Sequence, residues 1–343
     1  MIPGIVAQAS LGTGDGSIDN AATLSPSYAH KSLSFTDGDL TVTHTSATSE
    51  YQNCATLAAK TSGKWYVEVT LNNFGTTAGG YNVGICNYKS LLSDTFIGDS
   101  ANGVVFAVSG SIVRNNSSVG SLGAPSPGDV IGIALDADAG TVRFNKNGGS
   151  WSGAIALSGG GPYQVCVSTF YQNASATVNF GASPFAYTPY TGHAAWTENA
   201  PLVARYWRLH VNRVAAGGSA WVGFAETQHR ETVSGSNVAT GGTASASTTQ
   251  GGTSAANALD GNPATVWNSS APPQQWWQYD YGSGITKQLV ELLLTVRNDN
   301  ANVHPKSFAF LASNDGTNFL PALGVGGETW TLGETKTYAF PNS

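Results

Sequence analysis

The sequence predicts an all-β protein built as two tandem antiparallel β-sandwiches, and three observations lead there. Charged residues make up 10% of the chain, against ~25% in ordinary soluble proteins, while Gly alone occupies 42 positions. Long runs of the straight-chain residues that favour helices are missing; short β-branched and aromatic runs recur instead, broken by Gly, Asn, Pro and Ser. A length of 343 residues predicts two domains, each large enough to bury a core without disulfides.

Taken in order, residues 1–20 read as an arm. "MIPGIVA" is apolar, lacks the basic start of a secretion signal, and gives way to the flexible "GTGDGS". That Gly-rich stretch imitates a phosphate loop, yet no strand precedes it and no helix follows it. The first sandwich is expected over 21–190. In "GKWYVEVTL" (63–71), Trp65, Val67, Val69 and Leu71 alternate with Lys64, Tyr66, Glu68 and Thr70, the period-2 pattern of a half-buried strand. "GDVIGIALDADAGTVRFNKNGGSW" (128–151) reads as a hairpin in which Asp136 and Asp138 are turn residues rather than metal ligands. Two further strands lie in "YQVCVSTFYQNASATVNFGASPFAYTP" (163–189). Any binding surface of this sandwich should come from the loops 72–80, 87–102 and 114–128, because loops carry function while strands carry the core.

Cys54, Cys86 and Cys166 are odd in number, and two of them sit in apolar strand runs, which predicts buried free thiols. With no signal sequence and no apolar span near the ~20 residues a bilayer needs, the expectation is a soluble chain made in a reducing cytosol. Asn-x-Ser triplets at Asn116, Asn173 and Asn268 are chance products of an Asn- and Ser-rich composition.

The stretch 191–202, which contains Pro201, breaks the alternation and reads as the linker, with the second sandwich over 203–343. "ARYWRLHVNRV" sets Tyr206, Arg208 and His210 against Trp207, Leu209 and Val211. "AWVGFAETQHR", "WWQYDYG" (276–282), "QLVELLLTVR" (288–297) and "KSFAFLASNDGTNF" (306–319) add short strands.

Two resemblances follow from these segments. "GKWYVEV", "NVGIC", "GDVIGIALDADAGTVRFNKNG" and "ATVNFGASPFAY" resemble, in order and spacing, the strands of a SPRY domain, which implies a bent, concanavalin-like β-sandwich that binds partners through edge loops and has no catalytic apparatus. The second half, with "GGTASAS" and "NALDGNPATVWNSS", resembles a discoidin-like domain, the factor 5/8 type C and carbohydrate-binding-module group of jelly rolls. In that group "ARYWRL" and "VGFAETQ" usually close the fold. Here they open it, as in a circular permutation, which a fold tolerates when its ends lie side by side.

The resemblance implies a structural Ca²⁺ in the loop 257–265, held by the Asn257 carbonyl, the Asp260 carboxylate, the Asn262 carbonyl, Thr265 and, from the distant "AE" strand, Glu226. The alternative is an Asx turn in which Asp260 caps its own backbone. A sugar site needs an aromatic face and fixed polar forks. The loop "RNDNANVHP" offers Arg297, Asn298, Asn300 and His304 where members of the group hold glycans, and Trp276, on the strand face opposite Trp277, Tyr279 and Tyr281, is the expected platform. The alternative is a solvated polar loop and a packed Trp.

No His-Glu-x-x-His, Gly-x-Ser-x-Gly or Cys-x-x-Cys pattern occurs, which argues against an enzyme. A net charge of −6 with no Lys/Arg cluster argues against nucleic acid. Two non-catalytic sandwiches in tandem resemble the adhesion and decoration proteins of tailed bacteriophage virions. The expectation is a virion surface protein made in the host cytoplasm and binding host-cell glycans, of the tail-fibre or receptor-binding type, with a head-fibre or capsid-decoration protein second. It would be a homo-oligomer, most simply a trimer, joined to other virion proteins through its N-terminal arm and not inserted in a membrane. The competing readings are an intracellular protein-interaction module acting through the first sandwich's loops and a carbohydrate-binding protein exported by other means.

Overall fold

The computed structural model describes residues 22–75, 80–89, 95–198, 202–216 and 220–340; the arm expected over 1–20 lies outside them. Among the described residues four main sheets, antiparallel but for one short parallel pairing, form two face-to-face sandwiches, beside two short two-stranded pairs, Val203–Ala204 with Lys287–Gln288 and Gly223–Phe224 with Trp267–Asn268. The first is 8-stranded, with Lys64–Phe74 at its centre between Ala174–Asn179 and Val130–Asp136. The second has 6 strands, in the order Gln52–Ala55, Gln164–Thr169, Tyr81–Cys86, Gly103–Ala107, Ser111–Arg114 and Ser117–Ser121. The third has 5, in the order Thr243–Ala246, Gln275–Asp280, Tyr206–Val214, Pro305–Ser313 and Leu320–Val325, and the fourth has 3, Glu226–Arg230, Glu291–Thr295 and Thr335–Ala339.

The side-chain alternation assigns each residue to a layer. Val67, Val69 and Leu71 from the first sheet meet Val83, Ile85, Val104, Phe106, Val165 and Val167 from the second in one apolar core. Trp207, Leu209, Val211, Trp277, Tyr279, Phe308 and Phe310 from the third sheet meet Leu292 and Leu294 of the fourth in another. Asp136 pairs with Lys64 at 2.8 Å and accepts the Ala139 N–H, and Asp138 accepts the Gly63 N–H. Both carboxylates thus serve the hairpin turn.

Tyr81–Cys86 and Gln164–Thr169 are buried at every position, so both faces of the second sheet are covered. The second cover is the third sheet. Tyr28, Ala55, Leu57, Cys86, Tyr88, Ile97, Val105 and Cys166 form a third apolar cluster with Ala309, Leu311 and Phe319. The polar face of Tyr206–Val214 points into this seam: the Asn212 amide donates to the Tyr88 carbonyl at 3.1 Å, and the rings of Tyr88 and His210 meet edge-on at 5.2 Å. At the rim Glu328, 7% exposed, receives Lys31 at 2.7 Å from the first sandwich and Lys336 at 2.8 Å from its own. Burial would raise the Glu328 carboxyl, but the two ammonium groups and the Thr329 N–H overcome that and hold it at about 2.

The first sandwich reaches further along the chain than its strand alternation suggests. Ala194–Ala195, expected in the linker, pairs in parallel with Lys64–Phe74, and Trp196 fills the first core while its indole donates to the Ala58 carbonyl at 2.6 Å. A large aromatic with a satisfied N–H outweighs the loop-like composition around it. All three cysteines are free and buried. Among the described residues no helix is long and apolar enough to cross a membrane.

Candidate functional site

The loop after Ala255–Leu259, a short 3₁₀ helix capped by the Ser254 hydroxyl, turns at Gly261, whose φ of +75° suits glycine. Asp260 closes the turn: Oδ1 accepts the Asn262 N–H at 2.8 Å and Oδ2 lies 2.7 Å from the Thr265 hydroxyl. The Thr265 hydroxyl is also 2.8 Å from the Asn262 carbonyl, so its single proton serves one of the two. The Asn257 amide donates to the Val266 carbonyl at 3.0 Å. This much is the Asx turn.

Glu226 adds something a turn does not need. It opens its strand with its carboxyl within hydrogen-bonding reach of the Asp260 carboxyl and of the Gly261 and Asn262 N–H groups. Its Oε1 is buried without a hydrogen-bond partner. Burial first, and then the neighbouring Asp260, push the Glu226 carboxyl up to about 7. Burial opposes ionisation of Asp260 as well, but the donors from Thr265 and Asn262 leave its carboxyl below the usual range. Two carboxyls in contact require a proton or a cation between them. Among the described residues no three His, Cys, Asp or Glu side chains gather, so a cation here would take two carboxylates with hydroxyl and carbonyl oxygens. That donor set suits a hard ion such as Ca²⁺ and not zinc.

The residues expected to hold sugar do not all meet. Arg297 grips Asp299 in a two-pronged ion pair and donates to Asn268 Oδ1 at 2.8 Å; its carbonyl lies 3.0 Å from His304 Nε2. His304 is buried, which lowers its imidazole, and Asn300 caps the turn Ala301–Val303 by accepting the Asn302 N–H. Asn298 is exposed beside Gly333. Trp276 is elsewhere. It sits on the outer face of the third sheet, where the Arg208 guanidinium lies 4.2 Å from its ring centroid and 3.8 Å from that of Phe319, and Arg208 donates to Gln278. No hydrogen bond, ion pair or ring contact joins Trp276 to 297–304 among the described residues. The strand face assigned to Trp276 is the face that meets the first sandwich.

A different Trp stands by the polar loop. Trp221, 43% exposed, precedes the strand Gly223–Phe224, which pairs with Trp267–Asn268, and Asn268 is the residue gripped by Arg297. The Ala215 and Ala216 N–H groups donate to the His304 and Asn302 carbonyls at 3.0 Å each, and a Cβ at Gly223, two residues beyond Trp221, would lie 3.2 Å from Val303. The signal was in the sequence: in "AWVGF", Val222 and Phe224 occupy the core phase and Trp221 the opposite one.

On the first sandwich, the loops singled out by sequence contribute to a depression of about 370 Å³ between Tyr51, Phe96, Asn82, Val113 and Asn116. Residues 76–79 and 90–94 of those loops lie outside the described residues.

Comparison with known proteins matches residues 64–183 to the SPRY domain family and residues 243–342 to the F5/8 type C domain family. The strands Tyr206–Val214 and Glu226–Arg230 fall outside the second match, yet they belong to its two sheets. Among solved structures, the chain is similar to the SPRY domain of human HERC1, with 19% identity over 45% of this chain and 96% of that one and a TM-score of 0.39. A human SPRY domain gives 17% identity, 43% and 95% coverage and a TM-score of 0.34, and the PSpry domain of TRIM65 gives 16%, 46% and 92%, and 0.36. No curated protein matches the chain.

Proposed function

We propose that this chain, which carries a SPRY domain followed by an F5/8 type C domain, is a non-catalytic adhesion protein that binds host-cell glycans on a virion surface. Both families are those of binding modules. The observation that carries the glycan reading is the end of the second sandwich, where an exposed indole, Trp221, leads into the strand Gly223–Phe224, whose partner Asn268 takes the Arg297 guanidinium from a polar loop already fixed by internal hydrogen bonds. Fixed forks lose little freedom when a hydroxyl replaces water, and an exposed ring gives a sugar's apolar face something to cover. The Glu226–Asp260 pair supports a Ca²⁺ at the loop 257–265 that keeps the sheets in register near this end. The ion's place there is structural, with no role in a reaction.

The virion setting rests on the pairing of two non-catalytic sandwiches, with the tail-fibre position preferred over a head or capsid decoration. A shallow sugar contact must offset ordering and desolvation, so one site is weak and useful adhesion comes from several copies on one particle. Homo-oligomerisation, most simply as a trimer, and attachment through the N-terminal segment belong to the proposal. The depression at Tyr51 and Phe96 favours a second reading, protein interaction through the SPRY loops.

The test is adsorption of a multivalent display of the full chain to host cells. Trp221→Ala is expected to reduce adsorption at least 10-fold, and Trp276→Ala to leave it within twofold if its fold is intact. Unchanged adsorption by Trp221→Ala would remove this end of the sandwich from the account.

A further inference from the structure

We infer a second saccharide site, on the outer face of the first sandwich and lined by none of the candidate residues of the second. A groove of about 470 Å³ opens between the turn 147–151 and the segment 186–191, a volume suited to one or two sugar rings. Three aromatic side chains line it, Trp151, Tyr187 and Tyr190, all half-buried. Trp151 and Tyr190 form a corner, with centroids 5.1 Å apart at 69°. The remaining lining is Asn145, Gly, Ala, Thr and Pro, with no charged side chain among the lining residues.

The groove is held in shape by hydrogen bonds and ring contacts behind it. Glu68, 3% exposed on the central strand, accepts the Ala186 and Tyr187 N–H groups at 2.7 and 2.8 Å and the Tyr66 hydroxyl at 2.9 Å. A buried carboxylate is tolerated because three donors satisfy it, and together they fix the segment across the sheet. Phe185 packs on Tyr66 at 4.7 Å, and the Tyr187 ring lies so close to Gly148 that a Cβ there would meet it at 2.4 Å. On the far side Arg143 donates to the Ser152 carbonyl and lies 5.1 Å from the Tyr190 centroid, which fixes that ring. The anchored backbone holds Trp151 and Tyr190 edge-on to each other at the corner. An aromatic corner with neutral polar neighbours recognises a neutral saccharide, because its ring C–H faces suit the aromatic planes and its hydroxyls suit amide and backbone groups, while an anionic sugar would find no cation among the lining groups.

This site is independent of the one at Trp221. The experiment is indole N–H NMR on the full chain, titrated with galactose, glucose, N-acetylglucosamine and lactose to tens of millimolar. At least one sugar is expected to shift the Trp151 indole signal saturably, with Tyr190→Ala weakening that titration at least 10-fold, Trp151→Ala weakening the same sugar at least 10-fold by titration calorimetry, and Trp221→Ala leaving the Trp151 titration unchanged. Either of the first two suffices if the other fails to fold. A Trp151 signal that no sugar moves, or affinity unchanged in the folded Trp151 and Tyr190 variants, overturns the inference. Loss of binding only in Trp221→Ala overturns it too, while leaving the function proposed above in place; loss confined to the Trp151 and Tyr190 variants supports this site and leaves the Trp221 site to be decided by the adsorption test.

Discussion

Gly324→Ala is expected to open the seam between the two sandwiches and to split one unfolding transition into two. A Cβ at 324 would lie 1.2 Å from Tyr28 Cδ2 and 1.9 Å from Cε2, so the ring cannot stay. Tyr28 is fully buried and belongs to the cluster that joins Cys86 and Cys166 to Ala309 and Leu311. Forcing it out costs about 3 kcal/mol, the upper end of overpacking penalties, and exposes the seam to water. Calorimetry should show a single cooperative transition in the wild type and two in the variant. Tyr28→Ala on the Gly324→Ala background removes the clash and should recover part of the coupling, because the two positions share one contact. A variant that unfolds in one transition at the wild-type temperature would show that the seam does not couple the sandwiches.

Chelation is expected to produce the other large change. A Ca²⁺ bound only by the folded state at a hundred times its dissociation constant adds ~2.7 kcal/mol, which a chelator removes. The pH dependence has a definite sign. Without the ion, the Glu226 carboxyl is raised to about 7 when folded, above the 4.5 of the unfolded chain, so its contribution is fully present below pH 4.5 and is lost as pH rises through 7. With Ca²⁺ the proton is displaced, so affinity strengthens over that window and binding releases protons below pH 7. Glu226→Gln should abolish the calcium response and flatten the pH profile of the ion-free protein. Equal melting with Ca²⁺ and with chelator at pH 7.5 would reduce the loop to the Asx turn that Asp260 already makes.

The sequence carried the strands well wherever a residue had a single neighbour to satisfy. Val67, Val69 and Leu71, or Trp207, Leu209 and Val211, alternate with polar residues and land in cores. The seam was illegible for a physical reason. Tyr206, Arg208, His210 and Asn212 look like a solvent face, but Asn212 and His210 meet Tyr88 of the first sandwich through a hydrogen bond and a ring contact, Arg208 lies over Phe319, and Tyr206 packs on the seam cluster, contacts that leave no hydrophobic period. Trp276 was misplaced for the same reason: its strand phase shows that it leaves the core, without showing what it meets. Glu226 and Asp260 come together across 33 intervening positions, and only the resemblance pointed to that pairing; neither segment alone would have done so. The groove at Trp151 and Tyr190 depends on a tail segment crossing the sheet over Glu68, and no local pattern encodes that crossing.

A glycan array probed with the full chain, in calcium and in chelator, tests the central claim most directly. The account predicts that a defined set of glycans retains the wild-type protein in calcium, that Trp221→Ala loses that set, and that chelation weakens it. Retention of no glycan by a folded, multivalent wild-type chain, or retention of the same set by Trp221→Ala, would contradict the claim that the end of the second sandwich is an adhesive surface.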